Sequence, residues 1–179
     1  MMKRTLLSTA VAATLLSGAG LASAADSAWS TSANVALTTD YKFRGISQSD
    51  ESAALQGGFD LSHESGFYVG AWASSVDFDT NGGGLDGSLE LDYYLGYSAA
   101  IGESDFSYDV GVMAYTYPGD SGTDGDYNEV YGKLSWQDLT VGVIYSDDYY
   151  AETGKFTYLF ADYSYALPME LSLGLHLGY

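Results

Sequence analysis

The sequence predicts an all-β chain, specifically an antiparallel up-and-down transmembrane β-barrel, and three observations point there. Nine segments alternate apolar and polar residues with the strand period of two. Short turns and long acidic loops join these segments in strict alternation. The polar sides of the segments also lack the mixed charge of a soluble surface, since only Lys133 and Lys155 are basic after residue 44.

The first 24 residues read as a cleaved signal peptide: Lys3 and Arg4 form a basic end, an apolar run follows from Leu6 to Leu16, and Ala22 and Ala24 fit the small-residue rule for cleavage. That run is shorter than the roughly 20 residues of a spanning helix. Residues 25–179 then form one domain, and any membrane role falls to strands.

The nine strands are expected at 32–44, 54–63, 67–76, 88–99, 105–117, 127–136, 139–147, 155–165 and 171–179. In the first, Ala33, Val35, Leu37, Thr39, Tyr41 and Phe43 share a face; in the fourth, Leu89, Leu91, Tyr93, Leu95 and Tyr97 do so opposite Glu90 and Asp92. In the third both faces carry apolar or aromatic groups, so its phase stays open. Most segments are near the about 9–11 residues that cross a bilayer at a tilt. The last, LSLGLHLGY, sets four leucines and a terminal Tyr179 against Ser172, Gly174, His176 and Gly178.

Short turns are expected at 63–66, 101–104, 137–138 and 166–170, and long loops at 45–53, 77–87, 118–126 and 147–154. Such sorting by end is the pattern of outer-membrane barrels, with short periplasmic turns and longer external loops. Many of the 17 Tyr and 3 Trp, among them Tyr41, Tyr97, Trp136, Tyr145, Tyr163 and Tyr165, fall towards strand ends, the level of lipid headgroups. An aromatic-rich soluble β-sandwich is the competing fold.

The charge excludes several functions. Beyond residue 24 the chain has four basic against 24 acidic residues, a formal charge of −20, which argues against nucleic acid and anionic surfaces. There is no cysteine, hence no disulfide and no thiolate metal site. His63 falls in a turn and His176 on a polar strand face, with no partner assignable from spacing. No G-x-S-x-G element and no phosphate-binding loop occur, so no enzyme and no cofactor are expected. Asp77, Asp79 and Asn81 reproduce the start of a calcium loop, but Ser88 stands where a bidentate Glu is needed, which leaves them weak metal candidates. Asp120, Asp124 and Asp126 are the alternative weak site.

The segment TTDYKFRGISQSDESAALQGGFDLSHESGFYVGAW resembles the opening of the TorF porin family, through Asp40, Tyr41, Phe43 to Gln48, Ala54 to Phe59, Ser65 to Tyr68, Gly70 and Trp72. The resemblance is specific over residues 33–75 and implies an outer-membrane barrel acting as a porin, with no catalytic or ligand residues to carry across. Nine strands would leave Tyr179 at the external surface, whereas bacterial single-chain barrels have even strand numbers. The chain is therefore expected to be the N-terminal part of a barrel of roughly twelve strands, the number the family resemblance suggests.

With the leucine faces towards lipid, the lumen would be lined by Asp40, Asp60, Glu90, Asp92, Asp109, Glu129 and Asp162 against Lys42, Arg44 and Lys133, a balance of −4. Carboxylates around a pore favour cations. The expected function is a passive diffusion channel of the bacterial outer membrane for small cationic or neutral solutes, with outer-membrane lipid as a further partner. A non-conducting barrel with structural or surface-interaction duties is the alternative. Lys42 and Arg44 would either form the basic side of a constriction or neutralise Asp40 and Asp60.

Overall fold

A computed structural model describes residues 27–78, 87–120 and 125–179. The proposed signal peptide, Asp79, Asn81 and Asp124 lie outside the described residues. The elements are β1 (Trp29–Thr38), β2 (Lys42–Phe43), β3 (Ile46–Ser47), β4 (Ala54–His63), β5 (Phe67–Ser75), β6 (Leu89–Ala100), β7 (Phe106–Thr116), β8 (Tyr127–Trp136), β9 (Leu139–Tyr149), β10 (Gly154–Ala166) and β11 (Ser172–Gly178). Among the described residues there is no helix.

Nine strands form one antiparallel sheet in the order β1-β4-β5-β6-β7-β8-β9-β10-β11, and β2 and β3 form a separate hairpin. The sheet is thus an up-and-down meander. It is open: β1 pairs only with β4, and β11 only with β10. All the expected segments but the first match the strands closely at both ends.

The departures have local causes. The first strand runs over 29–38 and not 32–44, because residues 39–53 leave the sheet to build the β2–β3 hairpin. The expected loop at 147–154 shrinks to a turn at 150–153. Left-handed φ values at Ala151 (58°) and Glu152 (55°) allow the reversal, and Thr153 N–H reaches the Tyr149 carbonyl at 3.0 Å, so the strands continue almost to the tip.

Strand register assigns every side chain to one of two faces. On the outer face one row reads Thr31, Leu61, Val69, Leu95, Val112, Val130 and Tyr145 across seven consecutive strands. Leu95, Val112 and Val130 are 56, 42 and 50 % exposed. The inner face carries the carboxylates and most of the buried residues. Its core is aromatic, Tyr115, Tyr117 and Tyr127 packed with Phe43, Phe78, Met113, Tyr149 and Tyr150. The molecule is inside-out: leucines and valines outside, tyrosines and acids within.

The third segment's open phase is settled by the same register. Tyr68, Gly70, Trp72 and Ser74 face inward, opposite Gly96, Tyr94, Asp92 and Glu90. Aromatic rings and glycines are matched across strands: Trp72 lies over Gly58, Tyr94 over Gly70, Tyr68 over Gly96, Tyr131 over Gly111 and Phe160 over Gly142. A ring can lie flat against the wall only where its cross-strand neighbour lacks a side chain. We expect Gly96→Ala to cost about 1–3 kcal/mol, because a Cβ there would meet both the Tyr68 ring and the Val110 carbonyl oxygen. Gly174→Ala, where a Cβ would meet nothing, should stay within about 0.5 kcal/mol. Urea titrations in micelles compare the two, and equal costs would remove ring packing as the reason for the glycine.

Candidate functional site

Residues 39–53 fold over the inner face. Lys42 pairs with Ser47 and Phe43 with Ile46, so Arg44 and Gly45 form a two-residue turn with φ of 50° and 86°, the type I′ pattern. The hairpin is tied to the sheet at several points. Asp77 N–H donates to the Gln48 carbonyl at 2.8 Å, Tyr41 packs edge-on to Trp72 with centroids 5.4 Å apart, and Phe43 meets Tyr115 at 5.8 Å. Tyr41 Oη donates to Glu90 Oε1 at 3.3 Å.

The strongest tie is Arg44. Its Nη1 and Nη2 donate to Glu129 Oε1 and Oε2, both at 2.7 Å, and Tyr115 Oη adds a third bond to Glu129 Oε2 at 3.0 Å. Glu129 is 2 % exposed and the Arg44 side chain 10 %. The guanidinium also lies near the rings of Phe43, Tyr158, Phe156 and Tyr149, at 4.4, 4.9, 5.1 and 5.7 Å from their centroids. Burial works against its charge, and the Glu129 bonds more than offset this, holding its pKa above the ordinary value. In the same hairpin the Ser47 hydroxyl, at 2.6 Å, holds the Asp40 carboxyl below its usual range despite some desolvation. Burial pushes the Tyr41 phenol up, with the Glu90 charge acting in the same direction.

The other charged residues divide into paired and unpaired. Lys42 pairs with Asp40 at 3.1 Å and Lys133 with Asp109 at 3.2 Å, while Tyr68 Oη donates to Asp109 at 2.5 Å. Asp162 accepts from His176 Nδ1 at 2.6 Å, which leaves the neutral ring's Nε2 to accept a hydrogen bond from the Tyr158 hydroxyl at 2.8 Å. Asp60 accepts from Ser32 Oγ at 3.1 Å and from Tyr94 Oη. Glu90 and Asp92 are 1 and 5 % exposed, and Glu90 Oε2 and Asp92 Oδ1 have no hydrogen-bond partner among the described residues.

Asp60, Glu90, Asp92, Asp109, Glu129, Lys133 and Asp162 therefore share the inner face, as their alternation requires. Arg44 reaches the same space from the hairpin and not from a strand of the sheet, whereas Asp40 and Lys42 pair with each other on the hairpin, the Lys42 side chain 51 % exposed. The basic residues neutralise acids, but Arg44 selects Glu129 and not Asp60. Asp77 lies in the parallel bridge to Ser49, and Asp126 accepts the Tyr117 N–H at 2.8 Å. Sequence reasoning passes over the tyrosines that serve as donors to the acids. For Tyr68 and Tyr94 the signal is the glycine opposite each ring, Gly96 and Gly70.

Two cavities flank the Arg44–Glu129 pair. One of about 720 Å³ is lined by Arg44, Phe43, Phe78, Tyr117, Tyr150 and Tyr158. The other, of about 460 Å³, is lined by Glu129, Asp60, Tyr94, Asp109, Tyr131 and Lys133. The ion pair stands between them as a partition.

The profile of a bacterial family described as "Bacterial protein of unknown function (Gcw_chp)" matches residues 22–179. The chain belongs to the Gcw_chp family. The match takes in all nine strands and the hairpin, so partition and cavities lie within the Gcw_chp region. No curated protein and no solved structure matches the chain significantly.

Proposed function

We propose that this Gcw_chp chain forms the wall of an outer-membrane β-barrel that acts as a porin-like diffusion channel preferring cations. The observation that carries it is the inside-out sheet: a row of apolar and aromatic side chains six strands wide on the outer face, backed by an inner face of carboxylates and tyrosines. In water such a face is a liability, whereas in a bilayer it is the required one. The unpaired edges of β1 and β11 must then be met by further pairing, since open strands are costly in lipid. The signal-like leader and the resemblance of residues 33–75 to TorF porins favour the same reading.

Cation preference follows from the charge pattern. Among the described residues, each basic group of the inner space is paired with an acid, while Asp60, Glu90 and Asp92 have no basic partner within ion-pair distance. In a planar bilayer under a salt gradient, we expect a reversal potential of the cation sign that shrinks at high salt through screening. The Asp60→Asn, Glu90→Gln, Asp92→Asn triple variant should move it towards zero. Anion selectivity would overturn the reading.

The partition at Arg44 and Glu129 favours a second reading, a barrel blocked by its own hairpin and serving a structural or surface-interaction role. Refolded protein that is silent in the bilayer, yet conducts when the hairpin is loosened by Arg44→Ala, selects the blocked state. Silence in both selects the structural role.

A further inference from the structure

The groups that hold Arg44 belong almost entirely to the sheet. Glu129 stands on β8, Tyr115 on β7, Tyr149 on β9, and Phe156 and Tyr158 on β10; Phe43 alone comes from the hairpin. If the hairpin withdrew, the Glu129 carboxylate and the three sheet rings that flank the guanidinium, Tyr149, Phe156 and Tyr158, would remain around the vacated place. That arrangement matches one chemical class. A planar guanidinium places two parallel N–H bonds on a carboxylate, as Arg44 does at 2.7 Å twice, and offers its faces to rings. An alkylammonium is a compact point charge that makes neither the fork nor the stack.

The turn itself does not call for an arginine. The first central position of a type I′ turn favours Asn, Asp or Gly, and an arginine at φ 50° gains nothing for the turn. Outside the partition, Asp50, Glu51 and Asp77 line the larger cavity beside Arg44, so a cation approaching the cage would pass acidic groups.

We propose that Glu129, Tyr149, Phe156 and Tyr158 form a binding site for guanidinium-bearing organic cations, with Arg44 as its tethered occupant, so that free guanidinium compounds compete with the hairpin. The cage would bind such a cation whether or not the inner face conducts.

The test uses the full chain in detergent micelles with ethylguanidinium as probe and ethylammonium as control. Titration calorimetry of Arg44→Ala should show ethylguanidinium binding at least tenfold tighter than ethylammonium, and at least tenfold tighter than to the wild type, whose cage is filled. Adding Glu129→Gln should erase the discrimination. Equal binding of the two cations by folded Arg44→Ala would overturn the proposal. If that variant does not fold, the wild type decides: ethylguanidinium should speed amide hydrogen exchange across 42–47 and leave β6 unchanged, and ethylammonium should do neither. Equal exchange in the two salts would also overturn it.

Discussion

Glu129→Ala is expected to cost the folded protein about 3–5 kcal/mol, the scale for removing one partner of a buried ion pair. The loss comes less from the missing attraction than from what remains, an arginine side chain 10 % exposed with no carboxylate to hold its two N–H groups. The hairpin should then leave the inner face, and its peptide become open to protease in the folded protein. Replacing both partners, as Arg44→Leu with Glu129→Leu, should recover most of the stability, because apolar groups fit among Phe43, Tyr149 and Phe156 without desolvating a charge. Urea unfolding in micelles, followed by the shift of the folded band on unheated gels, measures all three chains. A cost below about 1 kcal/mol for Glu129→Ala would mean that ring contacts such as Phe43 with Tyr115 hold the hairpin and that the ion pair is screened as a surface pair is.

Strand order and facing were legible because they rest on a period of two sustained over the length of each strand. In SLELDYYLGYSA the separation of Leu89, Leu91, Leu95 and Tyr97 from Glu90 and Asp92 leaves one choice of face, and the register bears it out across β5, β6 and β7. The hairpin was not legible from alternation, since Thr39, Tyr41 and Phe43 continue the pattern of β1 while the chain has already left the sheet. Side-chain bonds to the backbone mark the departure: Thr38 Oγ1 donates to the Asp40 carbonyl at 3.1 Å, and Ser49 Oγ accepts the Tyr41 N–H at 2.9 Å, contacts that close residues 38–49 on themselves. The Arg-Gly pair at 44 and 45 was the local clue to a tight turn, and its φ values show why glycine follows. Partners were less legible than faces. Arg44 and Glu129 are 85 residues apart, and no spacing rule joins them. Nor could the tyrosine donors be assigned before register had set Tyr68 beside Gly96 and Tyr94 beside Gly70.

The sharpest separation of a membrane wall from a soluble sheet comes from arginine placed along the outer face of β6. Leu95 lies near the middle of that strand, paired with Val69 on one side and Val112 on the other, and is 56 % exposed. In a bilayer, Leu95→Arg should cost about 2–4 kcal/mol, because the charge sits near the hydrocarbon midplane. Leu89→Arg, at the first residue of the same strand, should cost about 0–1 kcal/mol, since the side chain can reach the interface. On a soluble sheet both positions are surface, and each change should stay within about 0.5 kcal/mol. Refolding into lipid vesicles across a urea series reads the two costs directly. The depth gradient matters more than either value: burial against a protein partner would make Leu95→Arg harmful to that association but leave refolding into pure lipid unaffected. Equal costs at Leu89 and Leu95 would therefore remove the bilayer as the medium that the leucine face was built to meet.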